Sequence, residues 1–162
     1  KGVPKLVGDF DARVDFSLDE WPVTSGVRVG MSIGFDSGTI SVERLNYGPG
    51  HPELYLMDFG NWWNGFATAD LGGSLRMTRV GRVITGYAFV NGGWEQVGTW
   101  GLAGTEDVTF SIGTWSHDGL FSQQQTRVSW DNFYAVDSAV PEPATWLVLS
   151  LGGLMLARRR SR

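Results

Sequence analysis

Two stretches early in the chain alternate between apolar and polar side chains with a period of two. In Gly8–Asp19, Phe10, Ala12, Val14, Phe16 and Leu18 fall on one parity, and Asp9, Asp11, Arg13, Asp15 and Ser17 on the other. Val27, Val29, Met31, Ile33 and Phe35 repeat the pattern, with Gly30 and Gly34 on the opposite parity, where a second backbone can come close. Period two places alternate side chains on opposite faces of an extended chain, so each stretch reads as a strand with one face buried.

The same reading extends along the chain. Thr39–Leu45, Glu53–Phe59 and Phe66–Asp70 read as shorter strands, and Asn46–Pro52 as a Gly/Pro loop. Ser74–Val80, Arg82–Val90 and Trp94–Trp100 are apolar runs separated by Gly81 and by Asn91-Gly92-Gly93. Asn-Gly between such runs marks a tight hairpin, because both residues accept positive φ. A three-stranded meander follows, and Val108–Thr114 and Arg127–Val136 supply two more strands. No part of residues 1–136 shows helical periodicity. The expectation is an all-β body, an antiparallel jelly-roll sandwich. The chain opens on Lys1-Gly2-Val3-Pro4 without a basic start and apolar run, and reads as an N-terminally truncated body.

Composition narrows the function. Residues 1–140 hold nine Lys and Arg against sixteen Asp and Glu, whereas residues 141–162 hold four Arg and one Glu. An acidic body argues against a nucleic-acid partner, which needs a basic footprint. The absence of Cys excludes disulfides, thiolate metal sites and thiol nucleophiles.

The style changes after residue 136. Residues 137–140 read as a linker. Val140, Pro141, Glu142 and Pro143 cannot enter a helix, since proline restricts itself and its predecessor. Ala144–Ala157 is uncharged, with Thr145 and Ser150 its only polar side chains, so it reads as a hydrophobic helix without a polar face. Fourteen helical residues span roughly 21 Å, short of the about 30 Å of a bilayer core. Trp146 suits one interface, while Arg158, Arg159, Arg160 and Arg162 suit the cytoplasmic side.

Val-Pro-Glu-Pro, a short Trp- and Leu-rich apolar stretch and an arginine cluster, in that order over Val140–Arg162, resemble the PEP-CTERM sorting signal. The resemblance implies an exosortase as partner, a membrane-embedded enzyme that reads Pro141, Glu142 and Pro143 and cuts near them. The route it implies is export, an inner-membrane intermediate held by the helix, then delivery to the cell surface or extracellular matrix of a Gram-negative-type bacterium. On that reading the chain is substrate, not catalyst.

The body resembles concanavalin A-like lectin and glucanase domains through Leu75–Gly81, Thr85-Gly86-Tyr87, Gly92–Gly98 and Val128–Phe133. That group contains binders, hydrolases and structural modules, so fold leaves function open. The Glu-x-Asp-x-Glu signature expected of laminarinase-type glucanases is absent, and Glu43, Glu53, Glu95 and Glu106 are scattered. No catalytic residue, metal ligand or cofactor is therefore expected. His51 and His117 are too far apart in sequence to suggest a site, and no dense acidic loop supports calcium at Asp118 or Asp131.

The tryptophans are the ligand candidates. Trp62 and Trp63 stand between Asn61 and Asn64, flanked by Gly60 and Gly65. Adjacent strand residues face opposite ways, so at most one belongs to the core. The other offers a flat platform for a sugar ring, with Asn61 and Asn64 to bond hydroxyls. Trp94 and Trp100 are six residues apart on one strand and are expected to share a core-facing side, with Trp21, Trp115 and Trp130 also mainly in the core. The reading that results is an exosortase-sorted surface or matrix protein with a non-catalytic body that binds exopolysaccharide. The alternative is a surface-displayed carbohydrate-active hydrolase.

Overall fold

The computed structural model describes residues 5–22, 26–60, 62–116 and 125–138. The sorting motif, the apolar stretch and the arginine cluster lie outside the described residues, as do Asn61, His117 and Asp118. Eleven strands and no helix are found among the described residues, so no helix there is long and apolar enough to cross a membrane. The strands are β1 (Lys5–Leu6), β2 (Phe10–Glu20), β3 (Val27–Phe35), β4 (Gly38–Asn46), β5 (Glu53–Asp58), β6 (Trp63–Thr68), β7 (Gly72–Val80), β8 (Val83–Val90), β9 (Gly93–Gly101), β10 (Val108–Ser116) and β11 (Arg127–Asp137).

They form two antiparallel sheets. One has six strands in the order β1-β10-β3-β4-β5-β6, and the other five in the order β11-β2-β7-β8-β9. The chain changes sheet at each connection from β1 to β3, again between β6 and β7, and twice more from β9 to β11. The alternating residues of the two early strands meet between the sheets. Phe10, Ala12, Val14, Phe16 and Leu18 face Val29, Met31 and Ile33, joined by Ile40, Val42, Tyr55, Met57, Leu75, Met77, Ile84 and Ala88, all buried in one core. Sandwich closure is tightest at Gly86, where an added Cβ would lie 2.0 Å from a Val42 methyl and 3.2 Å from the Met57 sulfur.

The expected hairpin between β8 and β9 is present. Val90 pairs with Gly93, and Asn91 (φ 50°) and Gly92 (φ 81°) form its turn. Two buried arginines close the ends of the core, each held by partners of its own. Arg79, 1% exposed, donates to the carbonyls of Gly81, Gly104 and Glu106. Arg44 pairs with Glu53 at 2.5 Å and donates to the Asp70 carbonyl.

Three expectations need correcting. The strand placed at Phe66–Asp70 begins earlier, at Trp63, because its partner β5 is apolar from Leu54 and holds it in register from Asp58↔Trp63 to Glu53↔Thr68. Trp94 and Trp100 do not share a face. Gly86 pairs with Gly98 but Tyr87 with Gln96, so Val97 is an extra residue that breaks the period. Trp100 then sits opposite buried Ile84, at the sheet edge and stacked on Phe59 at 4.5 Å, whereas Trp94 sits opposite Phe89 on the outer face. Trp115 is likewise no core residue. It pairs with Arg28, which points away from the core. Trp21 and Trp130 do pack against the core, half-buried.

Candidate functional site

Strand register arranges the outer face of the six-stranded sheet into rows. One row runs Ser111, Ser32, Ser41, Asp58, Trp63, and the next Gly113, Gly30, Glu43, Leu56, Gly65. Arg28 stands in the row beyond, between Trp115 and Leu45. Gly30 has no side chain, so Arg28 reaches across it. Its Nη1 donates to Glu43 Oε1 and, at 2.7 Å, to Asp58 Oδ2, while Ser41 Oγ donates to Glu43 Oε2 at 3.0 Å. Two carboxylates from neighbouring strands are thus tied to one guanidinium nitrogen.

The members differ in access. Glu43 is completely buried, whereas the Arg28 and Asp58 side chains keep part of their surface. Burial raises the Glu43 carboxyl to about 7, against the opposing pull of Arg28 and the Ser41 hydroxyl, with Asp58 adding a smaller push upward. Arg28 Nε is buried and has no hydrogen-bond partner.

The tryptophans of interest border this cluster. Asp58 Oδ1 accepts from the Gly60 amide at 2.9 Å, and the Phe59 amide donates to the Trp62 carbonyl at 3.1 Å. Gly60, at φ 89°, turns the chain so that Trp62 and Trp63 emerge at the free edge of the sheet. They are 70% and 53% exposed, and neither enters the core. Trp63 pairs directly with Asp58. Asn64 is exposed too, but it pairs with Met57 and so lies on the opposite face from Trp63, towards Gly98 of β9. The structure therefore sets Trp63 beside Asp58, which Arg28 holds, with Trp62 exposed next to it in the chain, and separates Trp63 from Asn64.

The remaining sequence candidates stay apart. His51 is exposed and packs on Tyr47. Glu53 is held by Arg44 and by the Trp21 indole N–H, and Glu95 lies exposed on β9. No group of three or more His, Asp or Glu among the described residues is placed to hold a metal ion. One pair of close carboxylates among the described residues, Glu43 and Asp58, was not foreseen. They are fifteen residues apart, and only the β4–β5 register makes them diagonal neighbours on one face.

Chemically, the arrangement offers a platform rather than an open acid–base pair. A glycosidase needs the sugar between its two carboxyls. Here Arg28 occupies that space, and Glu43 has no accessible surface. What faces solvent is two large indole rings with a carboxylate and a guanidinium beside them. Flat apolar rings bordered by hydrogen-bonding groups suit a ligand that is apolar on its faces and polar at its rim.

No protein-family model and no curated protein matches the chain. Solved structures do. A functionally unknown protein from Saccharomyces cerevisiae superposes with a TM-score of 0.62 at 12% identity, covering 83% of this chain and 72% of that one. A GH43 protein from Bacillus licheniformis gives 0.59 at 14% identity, covering 80% of this chain and 28% of the other. The alginate lyase from Klebsiella pneumoniae gives 0.58 at 13% identity, covering 82% and 61%. The chain thus spans less than two thirds of either enzyme. At these identities the likeness is one of fold, a two-sheet antiparallel β-sandwich.

Proposed function

We propose that this chain is an exported surface or extracellular-matrix protein whose sandwich is a non-catalytic carbohydrate-binding module. The observation that carries the binding reading is the pair of exposed indoles, Trp62 and Trp63, at the sheet edge beside Asp58 and Arg28. Sugar rings stack on such faces, and the flanking charged groups bond hydroxyls. Two of the structures with this fold are a GH43 protein and an alginate lyase, which keeps carbohydrate in view as the ligand class. Binding by the full chain, solubilised in non-ionic detergent, to a panel of insoluble polysaccharides tests it. Retention should fall at least tenfold in a Trp62→Ala/Trp63→Ala variant; equal retention of both proteins would overturn the reading.

Delivery rests on the order of Val140–Pro143, the apolar stretch and Arg158, Arg159, Arg160 and Arg162. That order resembles the PEP-CTERM sorting signal, which implies an exosortase that reads Pro141, Glu142 and Pro143 and cuts near them. Glu142→Ala should leave the sandwich folded and block exosortase processing. The C-terminal mass of the mature protein from a host with an active exosortase decides: a chain that still carries Arg162 refutes processing.

The hydrolase alternative has one observation in its favour, the closeness of Glu43 and Asp58. It requires Arg28 to leave the gap between them. Reducing-end release that disappears in Asp58→Asn would establish it in place of a pure binder.

A further inference from the structure

The outer face of the five-stranded sheet carries a groove of about 520 Å³, lined by neither Trp62 nor Trp63. Its floor is Arg13 and Asp15 of β2 with Ser74 of β7. One end is walled by Phe89 and Trp94, packed edge to face at 5.4 Å. The other end is walled by Asn132 and Tyr134 of β11, while the neighbouring Phe133 turns its ring towards Phe110 of the core at 5.5 Å. The groove crosses all five strands from β11 to β9, a distance of roughly 19 Å at about 4.8 Å per strand.

The β11 wall is built by a bulge. Asp131 pairs with Asp15 and Tyr134 with Arg13, so Asn132 and Phe133 together oppose Val14. Asn132, at φ 49°, donates from Nδ2 to Asp15 Oδ2 at 2.7 Å, and Tyr134, 42% exposed, is turned outward while Phe133 packs on Phe110. Arg13 lies over the Tyr134 ring at 4.9 Å and forms no ion pair among the described residues. Arg76 is held by Asp11 through two hydrogen bonds and packs beside Trp94 and Tyr87. Its charge is therefore already matched.

This face suits a specific ligand chemistry. Aromatic rings at both ends offer stacking faces, and between them stand a guanidinium, a carboxylate, an amide and a hydroxyl at hydroxyl-bonding height. Acids offset bases here: Asp11, Asp15 and Asp131 stand against Arg13 and Arg76. Residues 1–140 as a whole are strongly acidic, which disfavours a polyanion. The occupant that fits is a neutral oligosaccharide.

We propose that this groove is a second glycan site, for neutral polysaccharide, so that one sandwich with a site on each outer face joins two polysaccharide chains. The inference rests on the carbohydrate reading for its ligand class and adds the second face. Titration calorimetry of the detergent-solubilised full chain with xylohexaose, cellohexaose, laminarihexaose and a hexameric alginate fragment tests it. The expected result is a stoichiometry near two for a neutral hexasaccharide and weaker binding of alginate. Trp94→Ala/Tyr134→Ala, and separately Ser74→Trp, which fills the groove floor without removing a contact, should each reduce the stoichiometry to near one, as should Trp62→Ala/Trp63→Ala. Wild-type stoichiometry in both groove variants overturns the groove site. Stronger binding of alginate than of every neutral hexasaccharide overturns its ligand class. All binding lost in the Trp62/Trp63 variant alone overturns the second site and leaves the carbohydrate reading standing, whereas no binding by the wild type removes both.

Discussion

Glu43 should make the protein less stable as the pH rises through neutrality. Its carboxyl is fully buried and its pKa is raised from 4.5 to about 7, mainly by burial. An acid whose pKa is higher folded than unfolded binds more protons in the folded state between those two values. Its contribution is therefore fully present below about 4.5 and is lost as the pH climbs through about 7. At about 1.4 kcal/mol per pH unit, the whole interval is worth roughly 3 kcal/mol, most of which falls between pH 5 and pH 8. Glu43→Gln keeps the shape and a hydrogen-bonding rim but removes the titration, so the difference between the two proteins isolates this one group from the other carboxylates. Urea denaturation followed by tryptophan fluorescence at unit steps from pH 5 to pH 8 measures it. The wild type should lose about 2–3 kcal/mol relative to the variant over that range. Parallel profiles would refute the reasoning, and would mean that Arg28 holds Glu43 ionised throughout despite its burial.

Two further substitutions test the packing. Gly86→Ala drives a methyl into Val42 and Met57 across the sandwich and should cost about 1–3 kcal/mol in the same denaturation assay, with Gly101→Ala, where nothing lies within 4 Å and φ is not positive, as a milder comparison. Arg79→Met removes the donor to the carbonyls of Gly81, Gly104 and Glu106 and should cost about 2–3 kcal/mol, with hydrogen exchange accelerated most over residues 102–107. An unchanged exchange pattern there would show that the loop holds without its arginine.

Much of the architecture was legible because it depends on local periodicity. Ten of the eleven strands lie within or across the apolar runs, the exception being the two-residue β1, too short for any pattern. The Asn91-Gly92 turn was legible because its positive φ values demand those residue types. The Glu43–Arg28–Asp58 cluster was not legible. Its members come from three strands, and the sequence contains the alternation of each strand but not the offset between them. Nor does any local signal announce that Gly30 opens the gap through which Arg28 reaches.

The second groove shows a deeper limit of periodicity, because a single extra residue in a strand moves every following side chain to the other face. Val97 does this in β9. Counting back from Trp100, whose partner Ile84 is buried, an unbroken strand would turn Trp94 inward as well; with Val97 inserted, Trp94 faces out beside Phe89. In β11 the pair Asn132–Phe133 opposite Val14 has the corresponding effect, delivering Asn132 to Asp15 and turning Tyr134 outward under Arg13. Both aromatic walls of the groove are thus placed by register breaks, at opposite edges of the same sheet. Edge strands tolerate such breaks because only one neighbour constrains their register. Bulges there re-aim side chains without opening the core, whose central strands β2, β7 and β8 keep the alternation intact on the sides that face each other. The sandwich and its surface chemistry therefore rest on different parts of the same sheet: regular alternation at the centre holds the two layers together, and irregularity at the margins turns aromatic rings outward.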